Sequence, residues 1–296
     1  MEKIIHYIYA AYVKIVETIL HYWVVCYSIM YRKNDRTNIV VSRYNKNVDF
    51  VYRINNGQNI NIIIYDKENP YNPYNIPVNK GNEASAYLKY IIDFYDNLTD
   101  FTFFIHDEEF AWHHSGSIID KYNESVLSNK KYYNINDKCI QSKRDAIKTS
   151  NGIEVYNELM EWYDKYIEEY IPLSEIPNNQ DFIYGFRNSA QFLVHKDIIR
   201  NLPKKFYERL YDWIITTDMP NWKNGRFMEW TWHIFWDIHP NRTSVSTSFP
   251  PPYSSPVAET APSESCHRET GLCIPAVYSR DQSDPSPVSS SAASST

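Results

Sequence analysis

Thr102-Phe103-Phe104-Ile105-His106-Asp107-Glu108-Glu109-Phe110-Ala111-Trp112-His113-His114 is the stretch on which the fold turns. Phe101 to Ile105 is a short β-branched and aromatic run, the pattern of a buried strand. Directly after it, Asp107, Glu108 and Glu109 stand between His106 and the pair His113-His114. Carboxylates and imidazoles therefore gather at a strand end, which in an open α/β sheet is where ligands bind. Asp107 and Glu109 are an i, i+2 pair, and in extended chain such side chains share a face. Two hard oxygen ligands on one face suit magnesium or manganese, above all an ion that already carries phosphate oxygens. The plainer reading of the same acids is a solvated loop that keeps a strand end soluble.

Working outward, Asn38 to Ser42 reads as a strand, with Arg43-Tyr44-Asn45 in the turn after it. Asn59 to Tyr65 gives another strand, too apolar for an exposed edge. Pro70, Pro73 and Pro77 keep Asp66 to Val78 out of regular structure. Asn79-Lys80-Gly81-Asn82-Glu83 forms a turn into a helix over Glu83 to Tyr95, where Tyr87, Leu88, Ile91, Ile92 and Tyr95 recur at helical spacing. A helix start of this kind offers free backbone N–H groups to a phosphate. The three strands are expected to be parallel neighbours, because a helix separates the second from the third.

Ser115 to Ser150 is polar and without period, so it reads as a long excursion. Helices are expected over Ile153–Tyr170, Asp197–Leu202, Lys204–Ile215 and Arg226–Trp236, and a strand within Phe182–Val194. Glu229 stands among Trp230, Trp232 and Trp236. It is either solvent-facing or a buried acid with a raised pKa.

The 296 residues divide by composition into an N-terminal hydrophobic segment (1–36), an α/β domain (37–242) and a Ser/Pro-rich tail (243–296). Ile4 to Tyr31 is apolar enough for a helix that either anchors the chain in a membrane or docks on a surface, with Lys14 and Glu17 interrupting it. Without that anchor the expected location is cytoplasmic. The tail lacks the apolar content to offset the entropy of ordering and is expected to be disordered. A net charge of −6 argues against a general nucleic-acid binder. Seven glycines form no P-loop or dinucleotide fingerprint, and four cysteines form no Cys-x-x-Cys pair. The aromatic content of 16% can build a core and also stack against flat ligands such as bases or sugars.

Four sequence words, in order, resemble an uncharacterised family, domain of unknown function 3431. They are Ile39-Val40-Val41-Ser42-Arg43-Tyr44-Asn45, then Asn79-Lys80-Gly81-Asn82-Glu83-Ala84 with Tyr87-Leu88. Ala190-Gln191-Phe192-Leu193-Val194 with Phe206-Tyr207-Glu208-Arg209-Leu210 follows, and lastly Glu229-Trp230-Thr231-Trp232 with Ile234-Phe235. Lys46 and Asn82 depart from the family pattern, which has an acid and an arginine there. The layout also resembles glycosyltransferases of the GT-A type: a Rossmann-like, mostly parallel sheet with a nucleotide-sugar site beside a strand-end Asp-x-Asp. Asp107-Glu108-Glu109 would stand in that place, and the Ala190–Val194 strand is similar to the acceptor-side strand of branching N-acetylglucosaminyltransferases.

The resemblance implies a metal-assisted sugar transferase that takes a nucleotide-sugar donor and a glycan or protein acceptor. Asp107 and Glu109 would hold manganese or magnesium, and Asp107 and Glu229 would serve catalysis, Glu229 as the base. Arg43, Tyr44, Asn45, Asn79, Gly81, Glu83, His113, His114 and Gln191 would line the substrate site. Two alternatives stand beside it. One is a metal-dependent hydrolase built on His106, Asp107, His113 and His114. The other is a carbohydrate- or partner-binding module without catalysis.

Overall fold

A computed structural model describes residues 9, 11–16, 18–19, 35–54, 59–137, 152–176 and 190–236. Its centre is a five-stranded sheet made of β1 (Thr37–Arg43), β2 (Ile60–Asp66), β3 (Phe101–His106), β4 (Tyr132–Asn134) and β5 (Phe192–His195). The strand order is β2-β1-β3-β5-β4. The first three strands are parallel, with Val41 opposite both Ile64 and Ile105. β5 then runs antiparallel to β3, and β4 antiparallel to β5. The sheet is thus mixed, where the sequence led us to expect a mostly parallel one. Strand direction is set by the connections, and the chain into β5 passes through residues 177–189, outside the described set.

Side chains alternate across each strand, and both faces are covered. Ile39, Val41, Phe103, Ile105 and Leu193 face one side. They pack there with the 3-10 turn Asp49–Ile54 and with Ile118 and Tyr122. Val40, Ile63, Phe104, Phe192 and Val194 face the other side, into a larger aromatic core. That core takes α1 (Ala84–Phe94), α3 (Ile153–Tyr166), α5 (Lys204–Thr216), α6 (Asn221–Glu229) and α7 (Trp232–Trp236). Phe104 touches Tyr87, Phe192 and Trp236, with ring centroids 4.8, 5.5 and 6.1 Å away. Burial on both faces explains why β1 and β3 read as near-continuous apolar runs. β2, which looked too apolar for an edge, is an edge strand beside β1: Asn61 is exposed and Ile60, Ile62 and Ile64 are only half-buried, on the face that packs against the smaller core.

Several expectations change. Ser115–Ser150 contains α2 (Ile118–Leu127) and β4 among its described residues. The Ser117 hydroxyl caps α2 by accepting from the Ile119 N–H at 3.2 Å. The expected helix Arg226–Trp236 is two helices, α6 and α7, parted at Trp230-Thr231. The Thr231 hydroxyl donates to the Phe227 and Met228 carbonyls at 2.9 and 3.1 Å there, a local bond of the kind that competes with helix propagation. Arg43 belongs to β1 itself, and the turn after it places Asn45 at φ 52°. The short helix after β5 is α4 (Lys196–Ile199).

Of the expected helix over 4–31, residues 9, 11–16 and 18–19 are described and helical. The rest of it, and the tail 243–296, lie outside the described residues. Among the described residues no helix is long and apolar enough to cross a membrane.

Candidate active site

The C-terminal ends of β1, β2 and β3 meet at one edge of the sheet because the three strands are parallel and in register. His106 closes β3, Asp66 closes β2 and Arg43 closes β1. Arg43 pairs with Asp66, lies 3.7 Å from Glu68 and donates through Nε to the Lys46 carbonyl at 2.9 Å. Its guanidinium thus ties two strand ends together. Asp107 Oδ2 accepts the Tyr44 backbone N–H at 2.8 Å, which joins the ends of β1 and β3. Burial pushes the Asp107 carboxyl up, against the lowering by the Tyr44 N–H and Lys46. The Tyr44 ring and Asn45 face solvent.

Glu83 brings a second acid to the same edge. Gly81 at φ 72° and Asn82 at φ 47° turn the chain sharply before α1. Glu83 is the residue before the helix, yet its side chain makes no capping bond. It is buried, with Oε2 3.6 Å from His106 Nε2 and Oε1 without a hydrogen-bond partner. The Tyr87 hydroxyl, one turn further along α1, is also buried and unpartnered. Burial raises the Glu83 carboxyl well above its ordinary value, and Glu229 adds to the rise.

Glu229 reaches this place through a close contact between elements distant in sequence. Asn221 Nδ2 donates to the Asn79 carbonyl at 2.7 Å, and the Gly81 N–H donates to Asn221 Oδ1 at 3.4 Å. These bonds seat α6 on the Asn79–Glu83 turn. A Cβ on Gly225 would stand 2.5 Å from Asn82 Nδ2, so any larger residue would force the Asn82 side chain or the helix to shift. The Glu229 carboxyl, on the last residue of α6, is pushed up to about 7 by burial, with Arg226 opposing.

Lys67 completes the cluster, and sequence reading missed it. It is 9% exposed, and its ammonium donates to the Lys80 carbonyl at 3.4 Å. Burial lowers its pKa to about 8, while Glu83 and Asp107 hold the proton on. A charged residue placed directly after an apolar strand was the available clue. Burial also holds His106 well below its ordinary value, so the ring is neutral at pH 7.

Of the remaining expected residues, Gln191 and His113 join the edge directly, and His114 stands behind His113, ring centroids 6.3 Å apart, where it lowers His106 through space. Gln191 Oε1 accepts the His106 N–H at 3.0 Å, and its Nε2 lies 3.5 Å from His113 Nδ1. The His113 ring stacks edge-on against His106 at 4.9 Å. His114 is buried on the α2 side, influenced by Asp137 and Lys121. Asn79 and Gly81 act through their backbone, in the stitching just described.

Glu109 is directed away from Asp107. Its carboxylate pairs with Arg53 and accepts the Ser117 hydroxyl at 2.8 Å, which occupies both oxygens. Glu108 pairs with Lys46. Among the described residues no group of three or more His, Cys, Asp or Glu side chains is placed to hold a metal ion. An ion bridged by Asp107 and Glu109 therefore does not fit these side chains. What the edge does hold is a set of carboxyls of raised pKa, a neutral imidazole and a buried ammonium. Such a set can bind hydroxyls and move a proton near neutral pH.

The family described as "Protein of unknown function (DUF3431)" matches residues 39–248, well over half of the chain. No curated protein and no solved structure matches the chain.

Proposed function

We propose the following reading for this chain, which belongs to the DUF3431 family: it is a glycosyltransferase that moves a sugar from a nucleotide-sugar donor to a hydroxyl of a glycan or protein acceptor. The observation that carries the proposal is Glu229, with its carboxyl at about 7, beside Glu83 and Asp107 at the C-terminal edge of parallel strands. A base for an acceptor hydroxyl works best when its pKa lies near the operating pH. The antiparallel β5, with Gln191 before it, lies beside β3, as the GT-A-like reading needs for an acceptor-side strand.

In the inverting step the acceptor oxygen attacks the anomeric carbon as its proton passes to the Glu229 carboxylate. The bond from that carbon to the diphosphate oxygen breaks, and the nucleoside diphosphate leaves with the electron pair. Asp107, held by the Tyr44 N–H, and Glu83 accept hydroxyls of the bound sugars. The manganese or magnesium that the GT-A resemblance implies has no fitting ligand pair in Asp107 and Glu109, so no step is routed through it.

One observation favours a second reading, glycan binding without transfer. Arg43, Lys46 and Arg53 at this edge are already paired with Asp66, Glu108 and Glu109, which leaves little positive charge for a diphosphate. Calorimetric titration of nucleotide sugars, in EDTA and in manganese, separates the two readings when combined with a donor-hydrolysis assay. The transferase predicts donor binding, and turnover lost in Glu229→Gln with binding retained. Absence of donor binding in both buffers would overturn it and leave the binding module.

A further inference from the structure

The loop between β3 and α2 holds two aromatic rings out in water at the rim of the acid cluster. Phe110 is 69% exposed and Trp112 is 55% exposed, while Ala111 between them is buried. This loop is pinned along its length. The Ile118 N–H donates to the Glu109 carbonyl at 2.9 Å, and the Ser115 N–H donates to Asp137 Oδ1 at 2.8 Å. The Asp137 N–H in turn donates to the His113 carbonyl at 3.1 Å. The Trp112 ring also rests on His113 at 4.7 Å, and His113 leads inward to His106 and Glu83. The loop backbone and the Trp112 ring are therefore held in place, and both rings leave apolar faces uncovered.

We propose that Trp112 and Phe110 form a stacking platform for an oligosaccharide, a subsite that holds the acceptor glycan while its terminal sugar reaches the carboxyl cluster. The proposal rests on the transferase reading for the direction of the glycan, but the platform itself also suits a non-catalytic binder. A sugar ring has an apolar C–H face that covers an aromatic ring, and hydroxyls at its edge that need polar partners. The rim supplies both, since Glu108 with its partner Lys46 stands beside the two rings in the chain. The size of the patch points the same way. Two rings flanked by Glu108, Glu109 and Ser115 suit one or two sugar residues, whereas a stable protein interface uses about 20–30 residues a side.

Calorimetric titration of the full chain with neutral tetrasaccharides built from glucose, mannose and N-acetylglucosamine tests the platform. Trp112→Ala is expected to weaken the best of them at least tenfold, and Trp112→Phe to restore most of the affinity. Because Trp112 is exposed, its removal leaves the core intact, which a melting curve checks. Equal affinity of wild type and Trp112→Ala, or no tetrasaccharide bound by wild type, would overturn the platform. Donor titration then reports on the transferase reading independently. Sedimentation velocity adds one further outcome: a dimer that Trp112→Ala dissociates without saccharide would assign the rings to self-association and overturn the proposal.

Discussion

Replacing Glu229 by Gln removes one ionisable group from the cluster and keeps its size. In the folded protein the Glu229 carboxyl is raised from 4.5 to about 7. At about 1.36 kcal/mol for each tenfold change in proton affinity, that penalises its ionised form by roughly 3 kcal/mol. The residue is only partly covered from solvent, and screening reduces the figure to roughly 1–2 kcal/mol. Between pH 4.5 and about 7 the folded chain keeps a proton that the unfolded chain has released. Stability therefore falls as pH rises through this window, and the loss is complete above the folded value. Glu83 has its own raised carboxyl and works in the same direction, while Lys67 opposes the rise at Glu83 and Arg226 the rise at Glu229. In a domain of roughly 200 residues, about 1 kcal/mol moves Tm by about 2–4 °C. Glu229→Gln should then melt about 3–6 °C above wild type at pH 8.5 and match it at pH 4. Thermal melts at half-unit pH steps measure the difference. Wild-type and variant curves that run parallel from pH 4 to pH 8.5 would refute the shifted carboxyl and, with it, the choice of base.

Gly81→Ala should cost about 1–3 kcal/mol in a denaturant titration, because the residue sits at φ 72° and a Cβ would press on the buried Ile214 side chain. Adding Ile214→Val should recover part of that loss, and no recovery would place the strain in the backbone alone. Phe104→Ala, in the middle of the aromatic core, should lose about 3–5 kcal/mol, and a loss below 1 would show that the neighbouring rings collapse into the gap. Tyr9, Tyr12, Ile15 and Ile19 are all more than half exposed on the N-terminal helix. The full chain should float with anionic vesicles while a chain beginning at Asn38 should not, and equal flotation would remove the membrane role of residues 1–36.

The readable parts of the fold are those where burial leaves a local imprint. β1 and β3 are covered on both faces and show as apolar runs, β2 shows as one although it stands at the edge of the sheet, and α1 shows its core face at helical spacing. β4 pairs through only three residues and was illegible, because so short a strand has no period. The direction of β5 is a property of its connection and leaves no mark in Phe192–His195. Within the site, Asp107 was legible as an acid at a strand end. Glu109 was misleading, since the i, i+2 rule holds for extended chain, and here the backbone bends after His106 and delivers Glu109 to Arg53. Glu83 and Glu229 were each noticeable alone. Their meeting depends on the fit of α6 against the 79–83 turn, which no local pattern encodes.

That fit makes Gly225 a spacer of zero thickness between two acids it never touches. Its missing side chain lets α6 settle against Asn82, and the depth of that settling fixes how strongly Glu229 acts on Glu83. Adding a methyl group there must displace the Asn82 side chain or push the helix off the turn, without altering any of the acids. Proton affinity at the cluster thus becomes adjustable from outside it, by a graded series of small side chains at one position. A lineage could move its working pH through that residue alone, and its acids would look unchanged in any comparison of sequences.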